Sequence, residues 1–141
     1  MDPAPGPQQE ARGDPQLRKD SMRILVVEDE FLVALQLEED LHAAGYAIVG
    51  PFNNVAAALP KIREGEFDIA VLDINLGDEM VFPLADELAA RQKPFIFLTG
   101  YEASGLPERY RSFPRIRKPH EIHTLTAEIK RVAASARHHR R

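Results

Sequence analysis

The stretch DIAVLD at residues 68–73 is a short apolar run that ends in one carboxylate, Asp73. Between helical stretches, such a run is typical of a strand in a parallel sheet that is covered on both faces. Because ligands collect at the carboxyl ends of parallel strands, polar residues that follow such runs are predicted to share one rim of the sheet. Three further runs end in this way: RILVV at 23–27 before Glu28 and Asp29, PFIFL at 94–98 before Thr99, and FPRIR at 113–117 before Lys118.

Segments with helical periodicity fill the gaps between these runs. The second of them is expected to be capped by Asn53 or Asn54 and closed by Gly65, while Pro60 within it predicts a bend or an early end. A weaker strand over residues 46–50 is expected at an edge of the sheet. Strands that alternate with helices predict an α/β fold with a doubly wound parallel sheet. The predicted helices cover residues 31–44, 55–63, 81–88 and 122–136.

Bulk composition places the chain among ordinary globular proteins. Its 141 residues are 44% hydrophobic and 28% charged, which suits one domain with a single core. The net charge of -4 argues against a general nucleic-acid binder. The absence of cysteine excludes disulfides, thiolate zinc sites and cysteine nucleophiles. No apolar stretch approaches the ~20 residues of a membrane helix, so a cytoplasmic protein without a membrane partner is expected.

The two ends of the chain differ in composition from the middle. Residues 1–21 are rich in proline, lack periodicity and lack the apolar core of a signal peptide, so a disordered tail is predicted. A single domain is predicted over residues 22–136. Residues 137–141 form a basic tail, for which a solvated helix end is favoured over a nucleic-acid contact.

The predicted rim carries the groups that bind a cation together with a phosphoryl group. A carboxylate at a strand end can be a metal ligand, a nucleophile or a structural cap. Three carboxylates from Glu28, Asp29 and Asp73 would repel one another without a cation, and Mg²⁺ prefers such oxygen ligands. Lys118 and Thr99 could then contact phosphoryl oxygens, since phosphoryl transfer depends on positioning and charge neutralisation. The chemistry indicated is formation of an acyl phosphate on Asp73.

These residues in this order resemble the receiver domain of two-component response regulators, the CheY-like family. The resemblance implies a flavodoxin-like fold with five strands in the order 2-1-3-4-5. It implies that Asp73 is the phosphoacceptor and that Mg²⁺ is held by Glu28, Asp29, Asp73 and the backbone carbonyl of Asn75. Thr99 matches the switch hydroxyl of the family. Lys118 matches its invariant lysine, whose bond to Pro119 is typically cis. The donor would be a sensor histidine kinase or a phosphotransfer protein.

A narrower resemblance involves the stretch PFIFLTGY at residues 94–101, which is similar to the FATGUY subgroup of receivers. Members of that subgroup are often stand-alone receivers that work with kinases of the HWE and related types. The chain departs from the general family at Arg115, where an aromatic switch residue is usual. Tyr101 is the nearest aromatic that could replace it. His120 stands where Phe is common, and a packing or solvent role is favoured for it.

Residues 102–112 break the helical pattern because they contain Gly105 and Pro107, so a short or irregular fourth helix is predicted. Four arginines make this region basic, and both a solvated loop and an altered partner surface remain open. The four are Arg109, Arg111, Arg115 and Arg117.

The favoured function is a single-domain response regulator that accepts a phosphoryl group and acts through protein contacts or as a phosphate sink. It would catalyse only its own phosphorylation and dephosphorylation. One alternative is a phosphorylation-independent interaction module. Another is a Mg²⁺-dependent phosphohydrolase of the haloacid dehalogenase type, which requires a second Asp where this chain has Asn75.

Overall fold

Parallel strands form one sheet with helices on both faces. A computed structural model of the chain describes residues 21–100, 106–118 and 121–139. The strand order is β2-β1-β3-β4-β5 in a five-stranded sheet, which confirms the predicted doubly wound, flavodoxin-like fold. In chain order the elements are β1 (Arg23–Val27), α1 (Phe31–Ala43), β2 (Ala47–Phe52), α2 (Val55–Glu64), β3 (Ile69–Asp73), α3 (Phe82–Ala90), β4 (Phe95–Thr99), a 3-10 turn (Glu108–Tyr110), β5 (Arg115–Arg117) and α4 (Ile122–His139).

Side chains of the central strands point alternately into two apolar layers. Ile69 and Val71 of β3 join the layer under α1 and α4, whereas Ala70 and Leu72 join the layer under α2 and α3. All residues of β3 and β4 are buried, as expected for strands covered on both faces. The carboxyl ends of β1, β3 and β4 therefore open on one rim, and the polar residues lie at that rim.

The weaker second strand lies at an edge of the sheet, as predicted. It ends at Phe52, two residues later than the sequence indicated, and its pairing with β1 shifts register between Leu25 and Val27. The carbonyl of Phe52 accepts a hydrogen bond of 2.9 Å from the backbone N–H of Glu28. This extension of β2 therefore fixes the backbone of the first acidic residue.

The second helix begins and ends at residues that the sequence predicted as its cap and its stop. Asn54 caps it by accepting a 2.8 Å hydrogen bond from the N–H of Ala57, and Gly65 closes it in the left-handed conformation. The predicted early end at Pro60 is wrong, because the helix runs through it to Glu64. The carbonyl that loses its partner belongs to Ala56, which is exposed, so water can satisfy it.

The fourth crossover is irregular, as predicted, in the part that the structure describes. Residues 106–114 contain a single 3-10 turn and no α-helix. The last helix runs to His139, three residues past the predicted domain end at 136. Tyr101, Pro119, His120 and almost all of the predicted tail over residues 1–21 lie outside the described residues. None of the described helices is long and apolar enough to cross a membrane.

Candidate functional site

Three carboxylates converge at the rim formed by the neighbouring strands β1 and β3. Glu28 and Asp29 directly follow β1, and Asp73 is the last residue of β3. One carboxylate oxygen from each of the three lies within 4.8 Å of the others. Glu28 is 1% exposed and Asp73 is 5% exposed, while Asp29 is half-buried. The structure thus brings together the three acidic side chains that the sequence assigned to a cation site.

The crowding of these carboxylates changes the protonation of Asp73. Burial, followed by a side-chain hydrogen bond to Glu28 and repulsion from it, raises the pKa of Asp73 to about 8. Lys118 and the backbone N–H of Asn75 oppose this rise. Without a metal ion, a proton therefore offsets part of the negative charge between Glu28 and Asp73.

Lys118 reaches the cluster from the end of β5. Its Nζ lies 3.0 Å from Glu28 Oε1, 3.4 Å from Asp73 Oδ2 and 3.7 Å from Glu30 Oε1. Its backbone N–H donates to the carbonyl of Thr99 at 2.7 Å. This hydrogen bond fixes the backbone position from which the Lys118 side chain extends. Burial alone would lower the pKa of Lys118, but the hydrogen bond to Glu28 and the attraction of Asp73 raise it. Lys118 is therefore a fixed positive charge at the site.

Two further predicted residues lie on the same rim. Thr99 is buried at the end of β4, and its hydroxyl donates to the carbonyl of Gly100 at 3.0 Å. Asn75 lies two residues after Asp73, where its side-chain oxygen accepts from the N–H of Gly77 at 3.1 Å. The side-chain amide of Asn75 is thus engaged within its own turn. Tyr101, the candidate switch residue, lies outside the described residues.

The donor set fits a hard divalent cation. Glu28, Asp29 and Asp73 supply oxygen ligands, and oxygen ligands in small number are what Mg²⁺ binds while it keeps several waters. Burial and then the neighbouring Glu28 raise the pKa of Asp73, and the positive charge of Lys118 only partly opposes this rise. A divalent cation would neutralise the remainder and favour the ionised carboxylate.

The loop after β3 closes over the acidic cluster. Asn75 and Met80 form an isolated antiparallel bridge, and the N–H of Val81 donates to the carbonyl of Ile74 at 3.0 Å. Glu79 ties this loop to α2, because its carboxylate accepts from the N–H of Val55 at 3.0 Å. Within the loop, a Cβ built on Gly77 would lie 3.4 Å from Asp29 Oδ2.

Gly77→Ala is expected to weaken Mg²⁺ binding about threefold, because the added methyl would lie in van der Waals contact with Asp29 Oδ2 and limit the movement of Asp29 toward a cation. Gly65→Ala is the matched control, since Gly65 has a similar positive φ but open space around its Cβ. Both variants should lose about 1 kcal/mol of stability from the strained backbone. Isothermal titration calorimetry checks the affinities, and equal affinities in the two variants would contradict the close approach to Asp29.

Exposed apolar side chains flank the acidic cluster on the first turns of α1. Phe31 is 75% exposed, Leu32 is 74% exposed and Leu35 is 39% exposed. One groove beside them is lined by Phe31 and Leu35 together with Glu28 and Asp29. A second groove on the other side of the helix is lined by Leu32 and Lys118. The site thus opens beside an apolar ridge, which we call the α1 ridge (Phe31, Leu32 and Leu35).

Sequence reasoning missed two contributors to this site. Glu30 was given no role in the predicted site, yet its carboxylate contacts Lys118 from the solvent side. Gly77 gave no signal beyond its position four residues after Asp73, because its proximity to Asp29 depends on the path of the loop.

Comparison with protein families agrees with this fold. A sequence model of the family described as "Response regulator receiver domain" matches residues 24–130. Among curated relatives, "Transcriptional regulatory protein PdtaR" of Mycobacterium tuberculosis is 29% identical over 111 residues, 76% of this chain and 54% of that protein. "Sensory transduction protein LytR" of Staphylococcus haemolyticus is 27% identical over 115 residues, 79% of this chain and 45% of that protein. The chain spans about half the length of the curated relatives it matches.

Solved structures give the same match. The solution structure of SdrG from Sphingomonas melonis is 37% identical, with a TM-score of 0.71, and covers 79% of this chain and 96% of that one. A structure described as the BeF3-activated conformation of SdrG, from Pseudomonas melonis, is 37% identical with a TM-score of 0.66, covering 78% and 98%. The signal receiver domain of a modulated diguanylate cyclase from Desulfovibrio desulfuricans is 30% identical with a TM-score of 0.76, covering 84% and 98%.

Proposed function

Because the chain belongs to the response regulator receiver domain family, we propose that it accepts a phosphoryl group on Asp73 in a two-component phosphorelay, with Mg²⁺ as cofactor. The observation that carries this proposal is the position of Lys118, whose Nζ lies 3.4 Å from Asp73 Oδ2 beside three clustered carboxylates. An attacking carboxylate, a fixed cation and a set of cation ligands are the parts that phosphoryl transfer to an aspartate needs.

In the proposed reaction an oxygen of ionised Asp73 attacks the phosphorus of a phosphohistidine. The new O–P bond forms as the N–P bond breaks, and the electron pair of that bond leaves with the imidazole of the donor. Bound Mg²⁺, held by Glu28, Asp29, Asp73 and the carbonyl of Asn75, would supply charge neutralisation for the phosphoryl oxygens. Lys118 would leave Glu28 and bind one of these oxygens. The hydroxyl of Thr99 would leave the carbonyl of Gly100 and donate to another.

A structural neighbour supports this chemistry. A structure that is 37% identical to this chain is described as the BeF3-activated conformation of SdrG, and BeF3 imitates a phosphoryl group. By contrast, a haloacid dehalogenase-type hydrolase would need an acid two residues after the nucleophile. Asn75 cannot exchange a proton there, and its side chain is bonded to Gly77.

The proposed donor is a sensor histidine kinase or a phosphotransfer protein. The PFIFLTGY stretch at residues 94–101 favours kinases of the HWE type through its resemblance to the FATGUY subgroup. We propose that the chain acts in the cytoplasm, through protein contacts or as a phosphate sink. It would have no catalytic activity beyond its own phosphorylation and dephosphorylation.

The α1 ridge is the proposed contact for the protein donor. The double substitution Phe31→Ser with Leu32→Ser should slow phosphotransfer from a protein donor at least about tenfold, because exposed apolar anchors at a contact carry much of its binding energy. Phosphorylation by acetyl phosphate should be unchanged, since that small donor needs no docking surface. Both rates are measured with radiolabelled sensor kinases of the same organism and with acetyl phosphate.

Ala90→Ser provides the control, because Ala90 is exposed at the end of α3. This end of the helix lies near the start of the strands, away from the site. It should match the wild-type protein with both donors. If phosphotransfer from the protein donor is equally fast in the ridge variant and the wild-type protein, the α1 ridge is not the contact for that donor. Failure of every donor in the wild-type protein would instead favour the phosphorylation-independent interaction module.

A further inference from the structure

Aromatic rings form a cluster between α3, β4 and the short segment at residues 106–114. Tyr110 lies at its centre and is 3% exposed. The segment has no α-helix to fix it, and its buried side chains are Leu106 and Tyr110. Its attachment to the domain therefore depends on contacts of its side chains rather than on helix packing. The ring of Tyr110 has centroid distances of 6.0 Å to Phe82, 6.0 Å to Phe95, 5.4 Å to Phe97 and 5.0 Å to Phe113.

A polar clamp secures this segment to α3. Asp86 accepts a hydrogen bond from the Tyr110 hydroxyl and two more, each of 3.1 Å, from Nε and Nη2 of Arg109. The Arg109 guanidinium also lies over the Tyr110 ring, 4.9 Å from its centroid. Burial and the hydrogen bond to Asp86 raise the pKa of Tyr110 to about 12, so the hydroxyl keeps its proton and donates. One carboxylate of α3 thus holds two consecutive residues of the segment.

The same tyrosine ring contacts two elements that lead to the site. Phe82 is the first residue of α3, just after the loop that follows Asp73. Phe97 lies two residues before Thr99 on β4. A displacement at the end of β4 or at the start of α3 would therefore reach Tyr110 through its ring contacts with Phe97 and Phe82. Arg115, which replaces the usual aromatic switch of the family, is exposed and donates to the carbonyl of Arg111, so it does not occupy this core.

We infer that Asp86, Tyr110 and Arg109 form a latch that holds residues 106–114 against α3, and that the activated site opens this latch through Phe82 and Phe97. The second half of this inference rests on the proposed function. The first half, that Asp86 holds the segment, is independent of phosphorylation. When the latch opens, the aromatic surface under the segment becomes accessible, and a change at Asp73 thereby reaches the outside of the domain.

Hydrogen exchange of the full chain, followed by mass spectrometry, tests the latch. Three amides of the segment are hydrogen-bonded within it, those of Tyr110, Arg111 and Phe113. Without any phosphoryl mimic, Asp86→Ala should speed their exchange about fivefold, because a shared charged acceptor is lost from a locally stabilised segment. Asp86→Asn, which keeps an acceptor for the tyrosine hydroxyl, should give a smaller increase.

Glu87→Ala is the matched control on the same helix. Glu87 pairs with Arg63 and Arg91 rather than with the segment, so exchange at residues 106–114 should stay at the wild-type rate. Wild-type exchange in Asp86→Ala, or an equal increase in Glu87→Ala, would overturn the latch. Because Asp86 is about half exposed, its loss should leave the core folded, and exchange in β3 monitors this directly.

Beryllofluoride with Mg²⁺ tests the coupling to the site in the wild-type protein. Binding should slow exchange in the loop at residues 74–81 and speed exchange at residues 106–114. Slower exchange in the loop with no change in the segment would overturn the coupling. No change in the loop would mean that beryllofluoride does not bind, and this result would contradict the proposed function. The Asp86 variants would still test the latch, because that test does not depend on phosphorylation.

Discussion

Asp73→Asn should abolish the covalent gain of one phosphoryl group, about 80 Da, when the protein is incubated with Mg²⁺ and acetyl phosphate. An amide nitrogen or oxygen cannot replace the attacking carboxylate, and no described carboxylate takes the same position at the end of β3 beside Lys118. The variant should stay folded, and its metal-free form should gain on the order of 1 kcal/mol in stability, because one of the crowded carboxylates is gone. Intact mass and thermal unfolding measure the two effects.

Asp68→Asn is the control for this experiment. Asp68 precedes β3 at the opposite edge of the sheet, where its carboxylate accepts from the N–H of Arg23. It should gain the phosphoryl group at the wild-type rate and should not gain stability. Persistent phosphorylation of Asp73→Asn would place the acceptor on another residue.

Lys118→Ala should reduce beryllofluoride binding by about 10- to 100-fold, because a charge-assisted contact to the bound anion is lost. Mg²⁺ affinity should stay within about threefold of wild type or increase, since removing a nearby positive charge favours a second cation. The two affinities should respond differently because Lys118 contacts Glu28 and Asp73 but is not itself a metal ligand. Calorimetric titrations with Mg²⁺ alone, and then with beryllofluoride, separate the two affinities.

Lys61→Ala serves as the comparison, because Lys61 is an exposed lysine that pairs with Glu64 on α2. Both of its affinities should equal those of the wild-type protein. Since Lys118 pairs with the buried Glu28, its loss should also destabilise the metal-free fold, so circular dichroism must show that the variant is folded. An equal loss of Mg²⁺ and beryllofluoride affinity would contradict the proposed role of Lys118.

The part of the fold that could be predicted is the part governed by local pattern. The buried run at residues 68–73 and its counterparts predicted the strands, and alternation with helices predicted their parallel arrangement. The position of Glu28, Asp73 and Lys118 on one rim followed from the strand ends alone. Local signals also included Asn53 and Asn54 as alternative helix caps, and the structure selects Asn54 through its bond to Ala57.

The part that could not be predicted depends on contacts between distant residues. Pro60 was expected to bend its helix or to end it early, but packing of Ala58 and Ile62 against the core holds the helix through it. Asp86 and Tyr110 are 24 positions apart, and no periodicity links a carboxylate on one element to a hydroxyl on another. The same holds for Glu79, whose contact with Val55 ties the loop after Asp73 to the second helix.

The most direct test of the central claim is to locate the phosphoryl group in the wild-type protein. The protein is incubated with acetyl phosphate and Mg²⁺, reduced with borohydride, which converts an aspartyl phosphate to homoserine, and mapped by peptide mass spectrometry. We expect homoserine at position 73 only, and none when Mg²⁺ is removed by a chelator. Homoserine at Asp29 or at another carboxylate, or modification that does not depend on Mg²⁺, would contradict Asp73 as the phosphoacceptor of a magnesium-dependent receiver.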